Sequence, residues 1–587
     1  MLSIGSNLSC RQTNRQNFGA AKVNILAMSD GHGQVEKLPD LYEAVYSKKD
    51  EIFDGPDKDG KAQKGSLNMF VHAGDWFINP GKKGFMGAPE KTAAEFQVDF
   101  MNGLLDSLEK NAAPELKAFY TLGNHCMDDG DKFIIDKLSK AKPTTLLTNV
   151  NMDNSPSIKS LDEKAKEKFK EEQVLEIPDD KDPNKKHKVL MLGMTTPSVD
   201  FYVPGQVKGL DVVDRNAIKD IQLRESHFKN TYKKLNDKIS KFKEANPQGA
   251  VVLLSHNGNN VANMIIQNVD GIDVIVNGHD HKKSSKVLTN KKTGKQTLVT
   301  SLYQNNDKFS SIKLKFDDNG NLEKIQEKGY YPAEVNKEKG HVGIDKKFNP
   351  MQKKLNELLG EDFKPSIFVA GPPEIKQLST EGIRKQNSHL MNFVADAVNE
   401  EYKTHDPDVD ISGVFSASIR QPIAVNGWTS NIKLLNLFCG RPLEGGQLCK
   451  GEIKGAEFAR IVTENYGDNL KNNSRNPLLH YSGVKVNKKG VDDLLMSGGK
   501  VTNDDYAKNI EVKDKNGEYK PLDLEKTYKV VLPKECFMVP NIQSAMAMYP
   551  SKFKDTPYNG DDLFMDYVKR HDYKMDMTKS ADTRIVS

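Results

Sequence analysis

Asp30-Gly31-His32, Gly74-Asp75, Gly123-Asn124-His125, Ser255-His256 and Gly278-His279-Asp280-His281 fall in that order in the first half of the chain. These are the residue types of a metal centre. Neutral imidazoles with carboxylates, and no clustered thiolates, suit borderline divalent ions such as Mn²⁺, Zn²⁺ or Fe²⁺. One carboxylate can bridge two ions, because its two oxygens carry several lone pairs. Two ions about 3.5–4 Å apart can clamp a phosphate and activate water between them. Glycines beside the candidate ligands let the backbone turn sharply and approach closely.

Each short motif is common by itself. Taken alone, His279 and His281 read as a surface loop, and a lone His32 reads as structural. Placement gives the set its weight: five of the chain's 13 histidines lie in these motifs. Each of the five motifs follows an expected strand. His72 lies inside an expected strand and reads as structural.

The elements that must position these residues follow from periodicity. Short β-branched, apolar runs predict strands at Val23–Met28, Met69–His72, Ala118–Leu122, Val189–Met194, Val251–Ser255 and Asp273–Val276. Between them, Glu90–Asn111 carries Phe96, Phe100, Leu104 and Leu108 at helical spacing, and Asp214–Ala245 is a second long helical stretch. Strands alternating with helices predict a layered α/β domain. In such sheets ligands gather beyond the carboxyl ends of the strands, so five separate loops can converge on one site. Thr297–Ser301 and Ser311–Phe316, followed by the turn-like Asp317–Asn321, read as the closing hairpin of that sheet. Lys48–Lys64 and Ser160–His187 are charged and poor in apolar residues, and are expected to be solvated insertions.

Composition bounds the rest. A chain of 587 residues is too long for one ordinary core, so two domains are expected. With 85 Lys and Arg against 81 Asp and Glu, there is no concentrated basic excess of the kind a nucleic-acid binder carries. No apolar run approaches the roughly 20 residues of a membrane helix. The first 20 residues hold no apolar signal segment, which gives a cytoplasmic expectation. Five widely spread cysteines make no disulfide framework. The expected organisation is a tail over 1–20, a first domain over 21–329, a linker and connecting helix over 330–365 that includes Pro350–Leu359, and a second α/β domain over 366–587.

The order of the five motifs resembles that of the calcineurin-like metallophosphoesterases. The second half resembles the C-terminal domain of bacterial 5′-nucleotidases and UDP-sugar hydrolases, so the likeness spans most of the chain. It implies an α/β fold: a four-layer sandwich of two sheets flanked by helices, then a smaller substrate-binding domain. It implies two divalent ions, drawn from Mn, Zn, Fe, Mg or Ca. Asp30, His32 and His281 would hold the first, Asp75 would bridge, and Asn124, His256 and His279 would hold the second. His125 would stabilise the transition state or protonate the leaving oxygen, oriented by Asp128. The family usually has an acidic residue directly after that histidine, where this chain has Cys126. Members of this family are often periplasmic or extracellular.

In the second half, Ala417-Ser418-Ile419-Arg420 resembles a segment whose arginine contacts substrate. Phe438 matches an aromatic that stacks on a nucleobase, Arg384 is a candidate phosphate contact, and Asn559–Leu563 resembles a loop bearing a second stacking aromatic. Leu563 stands where that aromatic is expected, with Phe564 beside it. Phe415 replaces an asparagine of the family, and 538–558 reads as an insertion. The implied reaction is metal-assisted hydrolysis of a phosphate ester, with nucleoside 5′-monophosphates as the leading substrates. UDP-sugars and 2′,3′-cyclic nucleotides compete, and a sulfate ester would suit the same metal site. A non-catalytic binding or scaffold protein on this fold would be expected to lose ligands or the catalytic histidine. Here all seven candidate ligands and His125 are present.

Overall fold

The apolar runs before the five motifs form strands, and their pairing brings the motifs to one end of two sheets. In chain order the strands of the first half are β1 (Leu2–Gly5), β2 (Ala21–Met28), β3 (Ser66–His72), β4 (Lys117–Tyr120), β5 (Thr144–Leu146), β6 (Phe169–Lys170), β7 (Glu172–Pro178), β8 (Lys186–Met194), β9 (Ala250–Ser255), β10 (Val274–Asn277), β11 (Ser284–Thr289), β12 (Gln296–Ser301), β13 (Phe309–Phe316) and β14 (Leu322–Tyr330). This is a computed structural model. It describes residues 2–5, 21–78, 80–81, 92–182, 184–203, 205–218, 223–338 and 349–359 of the first half. In the second half it describes 366–371, 377–378, 388–415, 423–424, 427–430, 447–471, 478–496, 502–514, 516–537, 542–572, 574–580 and 584–586. The chain divides into two units, Met1–Leu359 and Gly360–Ser587.

The first unit holds an eight-stranded sheet ordered β1-β14-β13-β2-β3-β4-β5-β6 and a six-stranded sheet ordered β11-β12-β10-β9-β8-β7. β2 to β6 run parallel, as do β8, β9, β10 and β12. Parallel strands need crossovers, which is why helices Leu38–Ser47, Ala93–Asn111 and Asp131–Leu138 separate β2, β3, β4 and β5. The two sheets share one core. Val23, Ile25, Met69 and Val71 from the first meet Val189, Met191, Val252 and Val276 from the second. On the other face of the second sheet, Leu190, Leu192 and Leu253 pack under Leu235, Ile239 and Phe242 of helix Lys229–Ala245 and Val261 and Ile265 of helix Gly258–Asn268. Strands buried on both faces read as continuous apolar runs, and β9 is AVVLLS with every residue buried. The result is the expected helix–sheet–sheet–helix sandwich. Among the described residues, no helix is long and apolar enough to cross a membrane.

Four details differ from the sequence reading. β12 and β13 do not pair: β12 lies in the second sheet, and the Asp317–Asn321 turn joins β13 to β14. Ser160–His187 is not a plain insertion, since it contains β6 and β7. β7 is an edge strand whose Glu176 lies 2.6 Å from Lys186 and 3.2 Å from Lys188, and an exposed edge tolerates that charge. Leu2–Gly5, expected as tail, pairs antiparallel with β14. Helices Pro332–Glu338 and Pro350–Leu359, in the expected linker, pack on helices Leu38–Ser47 and Ala93–Asn111 of the first unit.

The second unit is built on a five-stranded sheet with strands Ile411–Phe415 and Thr527–Pro533 parallel near its centre. Strand Phe553–Asn559, part of which was expected as insertion, pairs with the sheet strand Gln447–Lys454. Helices His389–His405 and Gly560–Arg570 pack together, with Phe393 edge-on to Phe564 at 6.2 Å.

Candidate metal centre

Asp30 and His32 follow β2, Asp75 follows β3, Asn124 and His125 follow β4, His256 ends the run from β9, and His279 and His281 follow β10. The backbone ladder of β2 and β3 continues past the strands. Asp30 N–H donates to the Gly74 carbonyl at 2.9 Å and His32 N–H to the Asp75 carbonyl at 2.9 Å. The two sheets are stitched at this end by the Asp30 carboxylate, which accepts the His279 N–H at 3.0 Å. His256 reaches across in the same way, its Nδ1 2.7 Å from the Ala73 carbonyl.

The local backbone is costly. Asp30, His32, Asp75, His279 and His281 have φ of 51, 47, 52, 86 and 54°. Left-handed backbone is uncommon outside glycine, and five candidate ligands share it. Glycines admit the close approach. A Cβ on Gly123 would collide with the Asp75 carboxylate, one on Gly74 with the His256 ring, and one on Gly278 with Asp30 and His256.

Three sets of side chains converge with ligand atoms all within 4.8 Å: Asp30, His32 and His281; Asp30, Asp75 and His256; and His32, Asp75 and His125. His281 Nε2 lies 3.5 Å from Asp30 Oδ1, and His256 Nε2 lies 2.9 Å from Asp75 Oδ2. Asn124 Oδ1 and His279 Nδ1 are 2.9 Å apart, and the His256 and His279 rings stand 5.2 Å apart edge-on. All seven candidate ligands are therefore brought into one cluster.

The electrostatics fit a cation. Asp30 and Asp75 are buried, at 0% and 1% exposure. Burial raises a carboxyl pKa, yet the flanking imidazoles outweigh it. His281, His256 and His32 hold Asp30 low, and His256, His32 and His125 hold Asp75 well below the usual range. Burial works against charge on His256, but Asp75 and Asp30 raise its pKa to about 9. Burial and the neighbouring His256 push His279 down to about 4. The buried Nε2 atoms of His32 and His256 both face Asp75 Oδ2, at 3.8 and 2.9 Å. With Nδ1 of His256 donating to Ala73, its Nε2 lone pair faces the Asp75 carboxylate, an arrangement that needs a proton or a metal ion between them. Carboxylates, imidazoles and an amide oxygen make a donor set for divalent ions.

His125 sits at the edge of the cluster. Its Nδ1 is 3.1 Å from Asp128 Oδ2, and its backbone N–H donates to Asp75 Oδ1 at 2.9 Å. Cys126 lies behind the site, fully buried, with Sγ 2.9 Å from the Tyr120 hydroxyl, 3.3 Å from the Gly123 nitrogen and 3.7 Å from Asp75 Oδ1. Burial and Asp75 push its thiol pKa up, which removes the nucleophilic thiolate. His72 is buried beneath, stacked on Tyr120 at 5.5 Å, its pKa lowered by burial to about 3.

Two features escaped the sequence reading. The Tyr202 hydroxyl lies 2.9 Å from His279 Nε2. Asn305 N–H donates to the Asp30 carbonyl at 2.6 Å, from a turn in which Asn305 and Asn306 both have left-handed backbone. The Asn-Asn pair was a readable signal for that turn. Of the candidate substrate contacts, Arg384, Arg420 and Phe438 lie outside the described residues. Phe564, expected as a substrate contact, is 0% exposed, in the core of the second unit with Phe393 and Val398. On helix Gly560–Arg570 its position falls on the inward face, which does not favour stacking on a ligand.

Comparison with known proteins gives two family matches. Residues 23–283 match the calcineurin-like phosphoesterase model, and residues 369–535 match the 5'-nucleotidase C-terminal domain. A snake venom 5'-nucleotidase from Crotalus adamanteus is 26% identical over 308 residues, 48% of this chain and 48% of that protein. The chain thus spans about half the length of that curated relative. Among solved structures, a 5'-nucleotidase precursor from Thermus thermophilus superposes with a TM-score of 0.62 at 18% identity, covering 96% of this chain and 99% of that one. The sulfate thiohydrolase SoxB, also from Thermus thermophilus, gives 0.58 at 13% identity, covering 98% and 97%. At these identities the structural matches show the fold alone.

Proposed function

We propose that this chain, whose residues 23–283 match the calcineurin-like phosphoesterase model and 369–535 the 5'-nucleotidase C-terminal domain, hydrolyses phosphate monoesters with two divalent ions, nucleoside 5′-monophosphates first among them. The observation that carries this reading is the convergence of five strand-end loops, with left-handed backbone at five ligands, on two buried carboxylates. Asp30, His32 and His281 would hold one ion, Asn124, His256 and His279 the other, and Asp75 would bridge them. When bound, such ions supply Lewis acidity toward phosphate oxygens and lower the pKa of water.

The remaining work falls to the chain's own groups. Hydrolysis needs a proton at the departing oxygen. His125 is suited to deliver it, because Asp128 holds its Nδ1 and directs the other ring nitrogen away from that carboxylate. Asp75 Oδ1 accepts the backbone N–H of His125, so the carboxylate and the residue bearing the proposed proton donor are held in one register. Substrate contacts in the second unit are proposed at Arg384, Arg420 and Phe438.

The test is a hydrolysis screen on metal-replete protein. It covers nucleoside 5′-monophosphates, UDP-sugars, 2′,3′-cyclic nucleotides, aryl phosphates and aryl sulfates. Preferred turnover of 5′-monophosphates is expected. Tight metal binding with no turnover of any phosphate ester would overturn the assignment in favour of a binding protein.

A further inference from the structure

Both ring nitrogens and the backbone N–H of His279 meet a neighbour. Its backbone is fixed by the N–H contact to Asp30 at 3.0 Å. Its ring stands edge-on to His256 at 5.2 Å and to Tyr202 at 4.7 Å. Nδ1 lies 2.9 Å from Asn124 Oδ1, and Nε2 lies 2.9 Å from the Tyr202 hydroxyl. An amide oxygen only accepts hydrogen bonds, whereas a tyrosine hydroxyl can donate or accept. When the hydroxyl accepts from Nε2–H, Nδ1 turns a lone pair toward the same point as the Asn124 oxygen. Two electron-rich atoms at that separation are stable only with a cation beside them.

Tyr202 is itself held in place. It ends the one-turn helix Val199–Tyr202 in the loop after β8, the same sheet end that carries the other motifs. Val199 and Val203 are buried at 0% exposure, and Asp200 takes two hydrogen bonds from Arg215 at 2.7 and 2.5 Å. The hydroxyl is therefore preset rather than free to swing.

We infer that Tyr202 is a positioning residue for the second ion: its hydroxyl holds His279 in the Nε2-protonated tautomer, so that Nδ1 and Asn124 Oδ1 present a matched pair of ligands. This rests on the two-ion reading above. A histidine that binds metal through one nitrogen commonly donates its other N–H to an oxygen, and loss of that partner typically lowers metal affinity 10–100-fold.

The experiment is calorimetric titration of metal-stripped protein with Mn²⁺, comparing wild type, Tyr202→Phe, Tyr202→Ala and Asn124→Ala. Tyr202→Phe keeps the ring and removes only the hydroxyl. It is expected to leave one ion at wild-type affinity and weaken the other about 10- to 100-fold, the same ion that Asn124→Ala loses. Visible absorption of the Co²⁺-loaded protein should change with it. If Tyr202→Phe binds both ions as wild type does while Tyr202→Ala does not, the ring only packs, and the inference is overturned. If wild type itself binds a single ion, the two-ion reading fails and the inference falls with it.

Discussion

Asp128 Oδ2 stands 3.1 Å from Nδ1 of His125, and the two differ in exposure: the carboxylate side chain is 0% exposed and the imidazole 13%. A buried anion behind a partly open ring orients a proton donor without occupying the site. His125→Ala should keep its metal and lose roughly 10²–10⁴ in kcat. Asp128→Asn should shift kcat the same way by less. Metal analysis beside steady-state kinetics checks both, and metal loss in His125→Ala would make it a ligand instead.

Asp75 is approached by His256, His32 and the His125 backbone at once. Asp75→Asn removes the charge and leaves one oxygen. Bound metal should fall to one ion per chain or none, with activity lost. Elemental analysis of dialysed protein decides this; two retained ions with substantial turnover would remove Asp75 from the bridging position.

The raised pKa of His256 predicts a pH dependence for metal-stripped protein. A histidine whose folded pKa exceeds its unfolded value near 6.5 stabilises the fold fully below that pH. The stabilisation is lost as pH rises through the folded value of about 9. Chelated protein should therefore lose on the order of 3 kcal/mol between pH 6.5 and 9. Metal ions compete with the proton, so added Mn²⁺ should raise Tm more at pH 9 than at pH 6.5. Thermal melts of wild type and His256→Asn across this window test it, since the variant should lack the slope.

Phe564, fully buried against Phe393, should act through packing alone. Phe564→Ala is expected to cost about 3–5 kcal/mol in denaturant melts of the full chain. The ratio of kcat/KM for a nucleotide to that for an aryl phosphate should stay unchanged. A selective loss on the nucleotide would return Phe564 to the substrate site.

The cluster was legible because metal chemistry restricts residue types and α/β topology restricts where they stand. Asp30, Asp75, Asn124 and His256 each follow an apolar run that declares its own strand. Tyr202 was not legible: one aromatic in an aperiodic loop carries no signal until His279 is placed beside it. β7 was hidden because an edge strand shows its Glu and Lys residues to solvent, as an insertion does. The partnering of β13 with β14 rather than β12 depends on which sheet each strand joins, and local periodicity does not encode that. Phe564 followed motif position, but the face of its helix decides its surroundings.

The three glycines packed against Asp75, His256 and Asp30 have a consequence for anyone building substitution libraries. Gly74, Gly123 and Gly278 bear no functional group, yet even alanine at any of them would push into a ligand. In a saturation screen scored on activity, these positions should prove as intolerant as the ligands themselves. A screen scored on expression should separate the two classes: ligand swaps such as His281→Gln would survive, while the glycine variants would be depleted. Intolerance to alanine is thus a poor guide to which residues touch metal, and the pattern across the two screens is a better one.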